Sequence, residues 1–252
     1  MSQYYKPNRP KNLYDPKTPV PFRLSRSKIE NFMNCPRCFY LDRRLGVAQP
    51  PSFPFSLNSA VDALLKKEFD AYRSRGEAHP LMKEAGIDAV PFKHPHLNEW
   101  REALRGGITY QFPKTNLMLT GAVDDLWVKP DGSLIIVDYK STSKAEEVTL
   151  DADWQISYKR QMEIYQWLYV KNGYTVDPTG YFLYCNGDAG RDAFNSRLEF
   201  FIKLLPYTGD HSWVEPKIRE LYTCLQAPAL PAPGADCDYC KYREAAGKFN
   251  NS

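Results

Sequence analysis

The sequence predicts an α/β fold in which helices flank a central mixed sheet. Residues 117–140 contain two β-type segments around a Pro-Asp-Gly turn, and two further strand-like segments follow at 179–185 and 196–204. A long segment at 153–172, whose apolar residues have helical spacing, lies between these groups. Helices that alternate with strands in this way are typical of α/β cores. A chain of 252 residues is long enough to bury a substantial core around such a sheet.

The composition limits the classes of protein to which the chain can belong. It is 43% hydrophobic and 25% charged, as in ordinary globular proteins. The net charge of +3 permits a locally basic groove for nucleic acid but does not require one. No apolar run approaches the roughly 20 residues that span a bilayer, and the polar, Pro-rich N-terminus lacks the apolar stretch of a secretory signal. We therefore expect a cytoplasmic protein with no membrane partner.

The N-terminal part is predicted to be an arm followed by helices. Residues 1–22 contain five prolines among polar residues, and we expect an extended, partly disordered arm. A helix is predicted to begin at Ser25, a residue type that caps helices well, and to carry Cys35 and Cys38 near its end. A second helix is predicted over 58–73. Its expected apolar stripe consists of Val61, Leu64, Leu65 and Phe69.

The remainder is predicted to contain a hairpin, a helix, two strands and a further helix before a cysteine-containing tail. Leu117 to Lys129 is expected to form one strand and Ser133 to Tyr139 the next, because Pro-Asp-Gly suits a tight turn between them. The later elements are the helix 153–172, the strands 179–185 and 196–204, the helix 212–226 and a Pro-rich link 228–233. After the arm we expect a single domain, 23–245, made of a helical insertion (about 57–107), a core (about 108–205) and a C-terminal helix with the cysteine tail (about 210–245).

The predicted hairpin brings three charged side chains to one face. With a loop of three residues, Lys129 faces Ser133 across the turn. Counting back along both strands then puts Asp124 opposite Asp138, with Cβ atoms about 4.5–5.5 Å apart. Lys140 lies two residues beyond Asp138 and therefore projects from the same face.

This arrangement predicts a metal site. Two carboxylates so close repel each other unless positive charge lies between them, and hard oxygen ligands suit Mg²⁺ or Mn²⁺. A lysine beside the metal can stabilise an attacking hydroxide or the charge on a phosphate, a combination that phosphodiester hydrolysis requires. The alternative is that Asp124 and Asp138 end their strands and that Lys140 merely pairs with one of them.

Three motifs follow one another in an informative order. They are Gly121-Ala122-Val123-Asp124, Asp138-Tyr139-Lys140 and Gln161-Met162-Glu163-Ile164-Tyr165. The set resembles the RecB-like and AddB-like branch of the PD-(D/E)XK nucleases, whose pattern is Gly-x-x-Asp on one strand, Asp/Glu-x-Lys on the next and Gln-x-x-x-Tyr on a helix. The stretch from Phe32 to Leu41 also resembles the first helix of that family, so the resemblance covers about residues 25–245. It implies a restriction-endonuclease-like core.

The resemblance implies roles for individual residues. Metal would be bound by Asp124, Asp138 and the carbonyl oxygen of Tyr139. Lys140 would assist catalysis together with these two aspartates. Gln161 and Tyr165 are four residues apart on a predicted helix and share one face, which the resemblance directs at the active site or the DNA backbone. The alternative is a helix surface on which Gln161 is solvated and Tyr165 packs in the core.

One position departs from the family pattern. Relatives place a His on the second helix as an additional metal ligand, and here Asp62 stands at the matching position. A carboxylate can bind magnesium, so Asp62 is a candidate metal ligand. Alternatively, Asp62 is a solvated helix residue of a degenerate site.

The cysteines form two C-x-x-C pairs, Cys35 with Cys38 and Cys237 with Cys240. Paired cysteines in a cytoplasmic chain of this size indicate metal ligation more than disulfides. Four thiolates suit Zn²⁺ or an iron–sulfur cluster. Buried thiols or a disulfide are the alternatives.

The family resemblance bears on the same cysteines. Several RecB-like nucleases have a four-iron four-sulfur cluster that joins the C-terminal tail to the first helix, with one early cysteine and three late ones. In this chain Ala246 stands near the place of the last. We therefore expect Cys38 to be the fourth ligand, with Cys224 as the alternative. Cys185, on an apolar strand, is expected to be an ordinary buried thiol.

The function predicted is that of a metal-dependent DNA nuclease acting on single strands or ends, in repair, recombination or foreign-DNA processing. No helicase motif accompanies the domain, so a helicase or recombination partner would be a separate chain. A second hypothesis is a catalytically inactive nuclease-like fold that binds nucleic acid or a partner protein, which the presence of Asp62 favours. A third, an interaction module built on a cysteine-bound metal, is disfavoured by the Gln-x-x-x-Tyr helix.

Overall fold

The computed structural model describes residues 4–6, 12–50 and 56–249. The chain forms two compact units. The cysteine unit comprises residues 1–53, 109–120 and 212–252, and the hairpin unit comprises residues 54–108 and 121–211. No helix among the described residues is both long enough and apolar enough to cross a membrane.

The described elements follow one another along the chain as helices, strands and one short 3-10 turn at Asp153–Gln155. In order they are β1 (Phe22–Ser25), α1 (Arg26–Asn34), α2 (Pro36–Arg44), α3 (Ser56–Arg75), α4 (Pro80–Glu84), β2 (Val90–Pro91), α5 (Leu97–Trp100), β3 (Ile108–Gln111), β4 (Leu117–Gly121), β5 (Asp125–Val128), β6 (Leu134–Thr142), α6 (Ile156–Lys171), β7 (Thr179–Gly187), β8 (Phe200–Thr208), α7 (Val214–Gln226) and α8 (Asp238–Gly247). Strands β1, β4 and β3 form a three-stranded sheet, and β2, β5, β6, β7 and β8, in that order, form a five-stranded one.

The five-stranded sheet organises the hairpin unit. Strands β6 and β7 are parallel, whereas the other neighbouring pairs are antiparallel. The predicted α/β class with a mixed sheet is therefore confirmed. On one face, Leu65 and Phe69 of α3 pack with Trp127 and Val137 of the sheet. Helix α6 lies against the sheet so closely that a Cβ built on Gly180 of β7 would be 2.4 Å from a sulfur atom of α6.

The segment 117–129, predicted as one strand, is two strands in two different sheets. Strand β4 pairs in parallel with β1, and β5 pairs antiparallel with β6. The first of these strands ends at Gly121, where an added Cβ would lie 2.8 Å from both Leu168 Cδ1 and Tyr165 Cε1. The single-strand prediction was wrong because the apolar pattern continues through the interruption and does not show which strand each part will pair with.

The helix predicted from Ser25 is also divided. Helix α1 ends at Asn34, and Cys35 has an extended backbone with φ −160°. A proline disfavours helical geometry in the residue before it and is well tolerated as the first residue of a helix. Pro36 accordingly starts α2, and Cys35 caps it by accepting a hydrogen bond on Sγ from the Cys38 N–H at 3.4 Å. Both cysteines therefore lie at the beginning of α2 and not at the end of a longer helix.

Within the segment 1–22, which is expected to be an extended arm, the described residue Tyr14 is buried in the cysteine unit. Tyr14 is 2% exposed, and its ring meets Phe22 edge to face at 5.3 Å. Its hydroxyl donates to Asn116 Oδ1 at 2.8 Å. Residues 1–3 and 7–11 lie outside the described residues.

Two smaller differences concern helices. The predicted helix over 58–73 exists, but Leu64, expected in its apolar stripe, is 63% exposed, while Leu65 and Phe69 are buried. The cysteine tail contains a helix that was not predicted, because α8 follows Cys237 directly. The spacing of apolar residues predicts where a helix forms, but it does not show which of those residues will be buried in the core.

Candidate active site

The register of the β5–β6 hairpin sets the positions of the two central carboxylates. Asp125, the first residue of β5, pairs with Val137, and the same register continued by one residue puts Asp124 opposite Asp138, as the turn predicts. Opposed residues share a face of the sheet. Asp124 Oδ2 accepts a hydrogen bond from the Tyr139 N–H at 2.8 Å, whereas the Asp138 side chain is fully buried. The hairpin thus holds two carboxylates on one side of the sheet.

Charge around these carboxylates is unevenly compensated. Burial and the neighbouring Asp138 carboxylate raise the pKa of Asp124 to about 7, although Lys140 and Lys66 act to lower it. Lys140 forms an ion pair with Asp138 Oδ2. Burial disfavours the charged form of Lys140, but Asp138 and Asp124 nevertheless hold its pKa above the usual value. The raised pKa of Lys140 thus favours its charged form, while the raised pKa of Asp124 shows that the nearby lysines do not fully offset its burial and its repulsion from Asp138.

Helix α6 orients Asp138 through two side chains one helical turn apart. Gln161 Nε2 donates to Asp138 Oδ1 at 2.7 Å and lies 3.1 Å from the Tyr165 hydroxyl oxygen. Gln161 is 9% exposed and Tyr165 is 5% exposed. The alternative in which Gln161 is a solvated surface residue does not fit this burial. Gly121, by its lack of a Cβ, leaves the space that the Tyr165 ring fills.

Asp62 of α3 lies near Asp124 but does not join the other two aspartates at one point. Lys66 Nζ is 2.9 Å from the Asp62 carboxylate and 3.7 Å from Asp124 Oδ1. Within the described chain, Asp62, Asp124 and Asp138 do not form a group whose ligand atoms all lie within 4.8 Å of one another. Sequence reasoning missed Lys66, although its spacing of four residues from Asp62 on a predicted helix was a usable signal.

A buried charged cluster lies next to the hairpin carboxylates, and sequence reasoning missed it as well. Asp125, which is fully buried, accepts hydrogen bonds on Oδ1 from Arg101 at 2.6 Å and from Arg73. Its Oδ2 accepts from the Tyr139 hydroxyl at 2.9 Å, and Asp70 completes the cluster 2.9 Å from Arg101. A buried carboxylate is tolerated only with such partners. The hydrogen bond to Asp125 holds the Tyr139 side chain in place, and with it the backbone between Asp138 and Lys140. The available signal was a second aspartate directly after Asp124 in an apolar strand.

The four paired cysteines come together in the cysteine unit. Their sulfurs, those of Cys35, Cys38, Cys237 and Cys240, all lie within 4.8 Å of one another. The Sγ atoms are 3.5 Å apart for Cys38 and Cys237, and 3.7 Å apart for Cys240 with each of Cys35 and Cys38. A disulfide needs about 2.05 Å, so these thiols are not bonded to one another. Cys224, the alternative fourth ligand, is outside this group.

Backbone groups favour a thiolate at the first of these cysteines. Burial opposes ionisation of Cys35, but hydrogen bonds from the N–H groups of Gly234 at 3.2 Å and Cys38 at 3.4 Å help lower its pKa to about 7. A Cβ on Gly234 would be 2.2 Å from the Asn34 carbonyl oxygen, so only glycine allows this approach. Cys185, by contrast, is 2% exposed and burial raises its pKa to about 11, as expected for an ordinary buried thiol.

Comparison with known proteins gives one family. The family model of the PD-(D/E)XK nuclease superfamily matches residues 23–245. No curated protein matches the chain. Among solved structures, the crystal structure of SSO0001 aligns with 88% of this chain and 84% of its own, with 15% identity and a TM-score of 0.38.

Proposed function

The chain belongs to the PD-(D/E)XK nuclease superfamily, and from that premise we propose that it is a metal-dependent DNA nuclease whose active site is Asp124, Asp138, Lys140, Gln161 and Tyr165. The proposal rests mainly on the observation that two side chains, those of Gln161 and Lys140, bind the Asp138 carboxylate. Gln161 donates to one of its oxygens, and Lys140 is ion-paired with the other. A carboxylate held in this way beside Asp124 is suited to divalent metal and phosphate chemistry.

The donor set fits Mg²⁺ or Mn²⁺. The proposed ligands are carboxylate oxygens of Asp124 and Asp138 and the carbonyl oxygen of Tyr139, which are all hard oxygen donors. The raised pKa of Asp124 indicates a carboxylate that further positive charge would stabilise. When bound, such a cation supplies Lewis-acid polarisation of a phosphate oxygen and lowers the pKa of water.

The residues of the chain would contribute positioning and charge. Gln161 fixes the orientation of Asp138 by donating to Oδ1, and Tyr165 contacts the same amide. Lys140, held as a cation by Asp138 and Asp124, would stabilise negative charge that develops on the phosphate. The buried Asp125 cluster would keep Tyr139 from moving during the reaction.

The order of the motifs supports the RecB-like and AddB-like branch of the superfamily. On that basis the proposed substrates are single strands or DNA ends, and the proposed setting is cytoplasmic repair, recombination or foreign-DNA processing. A helicase or recombination partner would be a separate chain.

A cleavage assay tests this function. Full-length protein should cut single-stranded DNA with Mg²⁺ or Mn²⁺, and a chelator should stop cutting. Asp138→Ala and Lys140→Ala should each reduce the rate by roughly a hundredfold or more, because they remove a proposed ligand and the cation. Asp192→Ala and Lys67→Ala, at exposed positions, are the matched controls.

Undiminished cutting by either site variant contradicts the assignment. Wild-type protein that binds DNA but never cuts it supports the inactive-fold hypothesis.

For the cysteines, we infer that Cys35, Cys38, Cys237 and Cys240 bind one metal. Thiolates that surround a single Zn²⁺ at about 2.3 Å lie about 3.8 Å apart, close to the 3.5–3.7 Å separations found here. A four-iron cluster binds each thiolate to a different iron, so it would require the sulfurs to spread. The spacing therefore favours zinc over the cluster. Metal analysis and the visible absorption of anaerobically purified protein distinguish the two.

A further inference from the structure

A row of aromatic and lysine side chains begins at the proposed catalytic lysine. Lys140 Nζ lies 4.5 Å from the centroid of the Tyr158 ring. The Tyr158 and Trp154 rings meet edge to face at 5.4 Å, and Lys144 Nζ lies 5.2 Å from the Trp154 ring. We call these four residues, Lys140, Tyr158, Trp154 and Lys144, the aromatic row. Two aromatic rings thus lie between two lysines, the first of which is also ion-paired with Asp138.

The turn that carries Trp154 is firmly anchored. Trp154 lies in the 3-10 turn Asp153–Gln155, whose last residue, Gln155, is 1% exposed. Gln155 Nε2 donates to the Thr149 carbonyl at 2.7 Å, and Gln155 Oε1 accepts from the Ala152 N–H at 2.9 Å. The position of Trp154 is thus set by a buried side chain next to it in sequence.

Lys144, the residue that follows Trp154 in the row and ends it, is fixed in a similar way. Asn186, near the end of β7, accepts a hydrogen bond from the Lys144 N–H at 2.8 Å and donates to the Lys144 carbonyl at 3.0 Å. This pair of bonds holds the Lys144 backbone while its side chain remains exposed. The backbone is therefore held by hydrogen bonds beside Trp154 and at Lys144.

Despite this anchoring, Trp154 is 52% exposed. A rigid turn that keeps a large aromatic ring on the surface forgoes the free energy of burying it. Aromatic rings next to basic side chains are how proteins bind unpaired bases, since every base has a π-face and the lysines attract phosphates. Asp151 and Asp153 are exposed nearby in sequence, so the phosphates would follow the lysine side of the row.

Building on the proposed nuclease function, we propose that Trp154 and Tyr158 stack against unpaired bases of a single-stranded nucleic acid whose phosphate reaches Lys140. Bases inside a duplex are already stacked on their neighbours and cannot offer their faces to Trp154. The aromatic row would therefore select single strands and unpaired ends for the site at Asp138. The bound strand would be held by stacking at Trp154 and by charge at Lys144 and Lys140.

Binding measured without hydrolysis tests this site. In buffer without added Mg²⁺ or Mn²⁺ and at fixed salt, the affinity of full-length protein for a labelled single-stranded DNA is measured by fluorescence anisotropy. Trp154→Ala should weaken binding about tenfold, and Trp154→Phe should retain most of the affinity because a π-face remains. Tyr242→Ala, at an aromatic residue that is 74% exposed in the cysteine unit, is the matched control and should have no effect.

A second probe separates stacking from a structural role. With an oligonucleotide of abasic sugar-phosphates, wild-type protein and Trp154→Ala should bind equally, because no base is present to stack. A single-stranded RNA of the same sequence shows whether DNA is preferred. The proposal is overturned if wild-type protein does not bind single strands, if Trp154→Ala binds them as tightly as wild type, or if the variant loses affinity for abasic and normal strands alike. Base-dependent binding without any metal-dependent cutting would contradict the nuclease function and leave the stacking site standing.

Discussion

At the scale of single residues, Lys66 changes how Asp62 is understood, because it lies between Asp62 and Asp124. By sequence, Asp62 is a candidate ligand beside Asp124 and Asp138. In the structure, Lys66 Nζ lies 2.9 Å from Asp62 and 3.7 Å from Asp124. A lysine so placed offsets part of the charge of both carboxylates and competes with any divalent cation for them.

Replacing this lysine should therefore tighten metal binding. Lys66→Ala should lower the dissociation constant for Mn²⁺ by up to about fivefold, since partly exposed ion pairs are worth at most about 1 kcal/mol. Isothermal titration calorimetry measures the constant directly and does not depend on cleavage. Lys67→Ala, one residue along the same helix and exposed, is the control. Weaker Mn²⁺ binding by Lys66→Ala would mean that Lys66 supports the metal site and does not compete with it.

At the scale of elements, the site depends on how closely α6 lies against Gly121. An added Cβ there would be 2.8 Å from the Tyr165 ring, and Tyr165 contacts the Gln161 side chain that orients Asp138. The glycine of the Gly-x-x-Asp motif thus serves the fit of a helix against a strand. Gly121 influences the Asp138 carboxylate indirectly, because it makes room for Tyr165, which contacts the Gln161 side chain bonded to Asp138.

Gly121→Ala should consequently destabilise the protein by about 1–3 kcal/mol, the usual cost of overpacking, and should impair cleavage. Gly187→Ala is a matched control, because the nearest atoms to its added Cβ, those of Leu198, are 3.4 Å away. Chemical denaturation gives the free energies of unfolding of both variants. Equal stabilities for the two would show that α6 yields without cost, which contradicts the packing argument.

For the whole molecule, the four cysteines tie together distant parts of the sequence. Cys38 and Cys237 are 199 positions apart, and both belong to the cysteine unit. Closing a loop of that length removes much of the entropy of the unfolded chain, and metal binding then contributes directly to folding free energy.

Cys237→Ser should accordingly lose the bound metal and lower the melting temperature. Inductively coupled plasma mass spectrometry gives the metal content, and differential scanning calorimetry gives the melting temperature. Cys224→Ser, outside the cluster, should keep the metal and most of the stability. Wild-type protein that contains neither zinc nor iron would remove the metal site while leaving the nuclease proposal intact.

The sequence by itself determined the features that depend on local pairing. The position of Asp124 opposite Asp138 follows from a three-residue loop, because hairpin hydrogen bonds propagate one register along both strands. The placement of Gln161 and Tyr165 on one helical face follows from the helical repeat. The α/β class and the two C-x-x-C pairs could also be predicted from order and spacing.

Tertiary structure alone decided which distant groups meet. Nothing local shows that β4 and β5 belong to different sheets, that Lys66 lies beside Asp124, or that Arg73 and Arg101 reach Asp125. The three side-chain contacts join residues that are 24 to 58 positions apart, and they form only when helices pack on a sheet. Packing is set by shape, volume and burial summed over many side chains, and no short motif contains that information.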